Sequence, residues 1–180
     1  MTYSPPAAGM PDPMVLSTMT PEMQGLSDVN GASAGSAVWP GVARAMFYPV
    51  RLSQPHTYVK AWWLNGATAA GNVDVGIYTL SGTTLTRVVA STAEAQGTVS
   101  TMQVAATFTT TTIGPGLYYL AMSCSLATAT VWRVSLAARE ARLGGVFTVT
   151  TAHPLPSSTT ATVTGSGVVP VFGFSELAAI

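Results

Sequence analysis

From Val42 onward the chain is written in short runs of apolar and β-branched residues, each cut by a turn signal. No other feature of the sequence limits the fold as strongly. Nine runs read as strands: Ala43 to Pro49, Thr57 to Leu64, Val73 to Leu80, Thr84 to Ala90, Thr101 to Phe108, Gly116 to Ser123, Ala129 to Val134, Val146 to Thr151 and Val168 to Phe174. Asn65-Gly66, Ser81-Gly82, Gln96-Gly97 and Gly114-Pro115-Gly116 stand between them. Leu80-Ser81-Gly82-Thr83 reads as a tight hairpin. Many closely spaced strands without alternating helices predict an all-β, antiparallel β-sandwich. Ser135 to Gly145 breaks the pattern: helix formers run into Gly144-Gly145, where a short helix would stop. Ala152-His153-Pro154-Leu155-Pro156 must be extended. Ser157 to Gly167 reads as an exposed loop.

The first 40 residues differ from the rest. Pro5, Pro6, Pro11, Pro13, Pro21 and Pro40 alternate with Met1, Met10, Met14, Met19 and Met23. Proline removes amide donors and fixes φ, so neither a long helix nor an inner strand is expected. The predicted division is an extended N-terminal arm at 1–40 and a β-sandwich domain at 41–180. Ordering such an arm costs about 1–2 kcal/mol per residue. Apolar burial returns about 25 cal/mol per Å². A neighbouring subunit supplies that area more readily than the body alone; the alternative is an arm folded back over its own sheet edges.

Charge is scarce. Only 8% of residues are charged and the net charge is zero, against 48% hydrophobic. An ordinary chain is about 25% charged. No apolar stretch reaches the roughly 18 residues of a spanning helix, so no membrane span is expected. A chain this poor in ions is expected to cover its surface with other subunits, as a homo-oligomer or part of a larger assembly. The basic residues Arg44, Arg51, Lys60, Arg87, Arg133, Arg139 and Arg142 are scattered, which argues against nucleic acid. Met1-Thr-Tyr-Ser-Pro-Pro6 lacks the basic flank and apolar core of a signal peptide, so synthesis in a cytoplasm without export is expected.

Chemistry finds little support. There is no G-x-S-x-G elbow, H-E-x-x-H pair or phosphate loop. A Ser-His-Asp site would have to be assembled from distant residues. His56 and His153 sit beside prolines without partners at ligand spacing, so no metal and no cofactor is expected, and both read as surface or hydrogen-bonded histidines. Cys124 lies in an apolar run and reads as a buried, inert residue. Asp74, between Val73 and Val75, reads as facing solvent, with pairing to a base such as Arg133 as the alternative. The reading is non-enzymatic.

Aromatic residues are the candidate contact sites: Trp39, Trp62, Trp63, Tyr119 and Trp132. Trp62 and Trp63 are adjacent in one strand and must point to opposite faces. An outward tryptophan could anchor a subunit interface, where Trp, Tyr and Arg are enriched. It could instead pack within the chain, or stack on a host surface glycan.

Two groups of motifs carry a resemblance. One runs through Val73-Asp-Val-Gly-Ile-Tyr78, Gly114-Pro-Gly-Leu-Tyr-Tyr-Leu-Ala121 and Thr128-Ala-Thr-Val-Trp-Arg133; the other through Gly144-Gly-Val-Phe147, Ala152-His-Pro-Leu-Pro156 and Val169-Pro-Val-Phe-Gly173. Over roughly residues 56 to 175 this succession resembles a β-sandwich domain of virion structural proteins of tailed bacteriophages, particularly tail, tail-tip and fibre-like proteins. The resemblance implies a jelly-roll-like sandwich, a place in the virion beside other virion proteins, and no catalytic residues. A minor tail or tail-tip protein is the favoured reading. A capsid decoration protein and a glycan-binding module on a fibre are the alternatives.

Overall fold

The computed structural model of the chain describes residues 15–17, 35–136, 141–142, 144–163 and 167–179. Its strands are, in chain order, β1 (Val15–Ser17), β2 (Gly35–Val38), β3 (Arg44–Leu52), β4 (His56–Tyr58), β5 (Lys60–Leu64), β6 (Asn72–Ser81), β7 (Thr84–Ala90), β8 (Glu94–Ala95), β9 (Met102–Val104), β10 (Thr111–Ile113), β11 (Gly116–Cys124), β12 (Thr130–Leu136), β13 (Phe147–Val149), β14 (Ser158–Thr160), β15 (Gly167–Pro170) and β16 (Phe172–Ser175). The protein is an all-β sandwich of packed antiparallel sheets. The large sheet has the order β13-β3-β11-β6-β7-β14, with β8 also on β6. Facing it are β1-β16-β5-β9, β15-β12-β2 and the pair β10-β4.

Alternation along the long strands sorts side chains into two cores. Met46, Tyr48 and Val50 of β3, Leu120 and Met122 of β11, and Val73, Val75 and Ile77 of β6 face the second layer. There they meet Tyr58, Ala61, Trp63, Val131, Val169, Phe172 and Phe174. The Tyr48 hydroxyl donates to the Val168 carbonyl and ties the layers together. Ala45, Phe47, Tyr78, Tyr119 and Ala121 point the other way and form a second core beneath Ala152 and Leu155. The Thr151–Ser157 segment therefore acts as a strap over the outer face of the large sheet.

Long strands lie close to their expected bounds, and the differences have local causes. The Thr57 to Leu64 run divides at Val59 into β4 and β5. Val168 to Phe174 divides at Val171, whose N–H donates to Trp132 while its C=O accepts from Leu64. Thr101 to Phe108 shortens to β9, because the Glu94 carboxylate accepts from the Ala106 and Thr107 amides at 2.8 and 2.9 Å and draws the chain out of the ladder. Ser157 to Gly167 is not simply a loop: β14 pairs with β7, and Val163 bridges to Phe147.

Two pieces of the first 40 residues are described, and both pair with the body. β1 lies along β16 and β2 along β12. Trp39 is buried in the main core, so the sandwich takes in Gly35 to Trp39 as well as the residues from 41. The rest of that segment lies outside the described residues, as do 137–140 and 143 of the expected helix. Ala141 and Arg142 are helical, and the stop is where the glycines put it. Val146 N–H reaches Ala141 C=O, Gly145 N–H reaches Arg142 C=O, and Gly145 takes φ +68°. This is the Schellman pattern of a helix end.

Candidate functional site

Of the five candidate aromatics, three are core residues. Trp39 is buried and donates its indole N–H to the Arg44 carbonyl at 2.9 Å. Trp63 is buried and donates to Asn65 Oδ1 at 2.8 Å. Tyr119 faces the outer side of the large sheet, but the β13 end covers it, its ring 5.4 Å from that of Phe147. None of these three offers a ring to a partner, which corrects that part of the expectation. Alternation decides between the tryptophan neighbours: Trp63 shares the inward face with Ala61, and Trp62 turns outward with Lys60 and Leu64. Trp62 and Trp132 keep partly exposed side chains.

Trp62 sits in a row that sequence reading did not assemble. β9 pairs antiparallel with β5, placing Val104 opposite Trp62 and Met102 opposite Leu64. Directly opposed residues project to the same side, so Trp62, Leu64, Met102 and Val104 form one apolar outer face. Met102 is 45% exposed. β9 is the last strand of its sheet. Edge strands ordinarily carry charge that blocks pairing. Between Glu94 and Arg133 the sequence holds no Asp, Glu, Lys, Arg or His. The strand itself was read within Thr101 to Phe108; what the sequence did not show was its pairing with β5, which joins distant residues.

The main polar cluster lies under the strap. Asp74 is 1% exposed, not solvent-facing as expected. One oxygen accepts from Ser91 Oγ at 2.8 Å and the other from the Leu155 amide at 2.9 Å. Its nearby cation is Arg87 rather than Arg133. Arg87 Nη1 donates to the Leu155 carbonyl, and the Tyr78 hydroxyl donates to the Pro156 carbonyl. Ser123, opposite Asp74 in the register, is hydrogen-bonded to His153 Nδ1 at 3.0 Å. Ser, His and Asp thus do converge, but Ser123 is fully buried and both Asp74 oxygens are engaged by Ser91 and Leu155. A triad needs the acid on the histidine and an accessible hydroxyl. This arrangement instead fastens the strap.

Burial pushes the Asp74 carboxyl up to about 6, against the opposing pull of the Leu155 and Ser91 hydrogen bonds and of Arg87. Between about pH 4 and pH 6 the folded state keeps a proton that the unfolded chain has released. Its contribution is therefore present at low pH and is lost as pH rises through 6, by about 3 kcal/mol in all. Burial pushes the His153 imidazole down, which costs stability in the opposite direction, as pH falls below its unfolded value. Asp74→Asn isolates the first effect. Relative to the natural chain, the variant should gain about 3 kcal/mol between pH 4 and pH 7 in urea unfolding. A stability difference that stays flat over that range would remove Asp74 as the source.

The other histidine serves as a tie. His56 is buried, its Nδ1 3.1 Å from Glu176 Oε1, and the same oxygen accepts from the Thr57 amide at 2.8 Å. Cys124 is a buried free thiol whose pKa burial pushes up. Among the described residues no group of three His, Cys, Asp or Glu side chains gathers to hold a metal. An open depression of about 580 Å³ at the β3–β11 end is lined by Arg51, Leu52, Ser53, Pro115, Gly116 and Leu117. No known protein family, curated protein or solved structure matches the chain.

Proposed function

We propose that this protein is a non-enzymatic structural subunit of a tailed-phage virion, made in the host cytoplasm and working by assembly with copies of itself and other virion proteins. A minor tail or tail-tip position is the preferred placement. The observation that carries the reading is the outward row Trp62, Leu64, Met102 and Val104 beside the open β9 edge of the sheet. Apolar faces at strand edges are natural protein contacts. Lys60 shares that face, but Leu64, Met102 and Val104 around Trp62 are apolar, whereas a sugar ring needs several polar groups around it. This favours a protein partner over a glycan.

The two described pieces of the N-terminal segment lie on the chain's own body, β1 along β16 and β2 along β12, which is the fold-back alternative, so the assembly reading rests on the outward row and not on them. Immunogold labelling of purified particles tests the placement directly. Label at the tail end supports it, label over the head would favour decoration, and particles without label would refute the virion reading. A truncation beginning at Gly35 retains β2 and Trp39 and is expected to fold as a sandwich that no longer enters particles. Normal incorporation of that truncation would rule out a role for the arm.

A further inference from the structure

The ladder between β5 and β9 uses alternate residues. Asn65 N–H donates to Thr101 C=O, and Ala105 N–H donates to Ala61 C=O. Antiparallel strands alternate the side to which their amides and carbonyls point. The N–H and C=O groups of Met102 and Val104 therefore point away from β5, along the open edge of the sheet. We propose that this edge binds a second copy of the chain, β9 against β9, in antiparallel two-fold pairing. The inference rests on the assembly reading and names its partner and its strand.

Self-pairing follows from the chemistry of the edge. An isologous contact places each group against its own symmetry mate or a near neighbour, so any charge would meet a like charge. From Ala95 to Trp132 the sequence holds no Asp, Glu, Lys, Arg or His, and the neighbouring charges, Lys60 on β5 and Glu94 on the Ala106 and Thr107 amides, lie beyond the Val104 end of β9, away from an axis at Gln103. With Gln103 on the two-fold axis, Met102 exchanges both main-chain bonds with Val104 of the second copy, and Val104 does the same with Met102 of the second copy. The strand is short, but the apolar face becomes continuous across the axis: Met102 meets Val104 of the second copy, and Trp62 and Leu64 extend the face on either side. Two other edges lack that backing. β14 is Ser158-Thr-Thr160, and β10 is Thr111-Thr-Ile113 with only β4 behind it.

The test uses the full chain in solution. Sedimentation equilibrium is expected to show a dimer, and Met102→Lys/Val104→Lys is expected to weaken it about 100-fold through like charges across the axis. A second measurement needs no variant. In amide hydrogen exchange, the Met102 and Val104 amides should be protected at high concentration and exchange freely on dilution, while the Gln103 and Ala105 amides stay protected at both. A natural chain that is monomeric at high concentration would overturn the proposal. So would a dimer whose Met102 and Val104 amides stay unprotected. A β9 dimer that is missing from particles would refute the virion reading and leave this pairing standing; a chain that enters particles but shows no β9 protection would do the reverse.

Discussion

Trp63→Ala is expected to cost about 3–5 kcal/mol, the range for emptying a fully buried tryptophan site. Two losses combine. The indole fills the main core between the layers and leaves a cavity when removed. Its N–H also satisfies Asn65 Oδ1, and Asn65 itself is buried. Asn65 Nδ2 in turn donates to the Gln96 and Thr98 carbonyls. Gln96 Nε2 donates to the Thr130 carbonyl, and Gln96 Oε1 accepts from the Ala70 amide. This amide network holds the turn that leads into β9, so the substitution also loosens the proposed docking edge. Trp63→Phe separates the two losses. It keeps most of the ring volume and gives up the hydrogen bond, for about 1–3 kcal/mol. Urea unfolding with an unchanged slope is the measurement. A loss below about 1 kcal/mol for the alanine variant would mean that the core closes over the site, contrary to close packing.

Gly76→Val carries the next largest effect and acts on the opposite face. A Cβ at Gly76 would lie 2.9 Å from the Val89 carbonyl oxygen, 3.0 Å from the Ala90 Cβ and 3.1 Å from Leu155 Cδ1. The first of these is backbone of the paired strand and cannot turn aside. Leu155 sits over this glycine, so a side chain here lifts the strap from the sheet. The Asp74–Leu155 and Tyr78–Pro156 bonds are then strained together. Overpacking of this kind costs about 1–3 kcal/mol, and disturbing the buried carboxyl adds to it. The variant should unfold earlier and expose the 151–157 segment to proteolysis. Gly35→Val is the control: like Gly76 it lies in a strand without positive φ, but an added Cβ meets nothing within 4 Å. Equal destabilisation by both variants would show that the loss of a strand glycine, not the Leu155 seat, is responsible.

The sandwich was legible because its long strands are runs of apolar and β-branched residues bounded by turn signals, a pattern that needs no knowledge of their partners. β3, β6, β7 and β11 all fall near their expected bounds, and the Ser81-Gly82 hairpin closes between β6 and β7. The helix stop at Gly145 was legible for a similar reason, since only the local backbone decides it. β8, β10 and β14 are two or three residues long, and so short a segment has no period to display. Asp74 was misread because alternation shows which residues share a face but not what covers it. Gly76 and Tyr78 on that same face hinted at cover, a glycine leaving room and a tyrosine seeking burial.

The sequence by itself determined the class of fold, the scarcity of charge and the opposition of Trp62 to Trp63, because these depend on composition and on the two-residue repeat of a strand. Only the tertiary structure decided which tryptophan faces out, that Trp39 and Tyr119 are enclosed, and that Met102 and Val104 stand beside Leu64 and Trp62. Strand order and register set those outcomes. They are fixed by pairing between residues tens of positions apart, which no local pattern encodes.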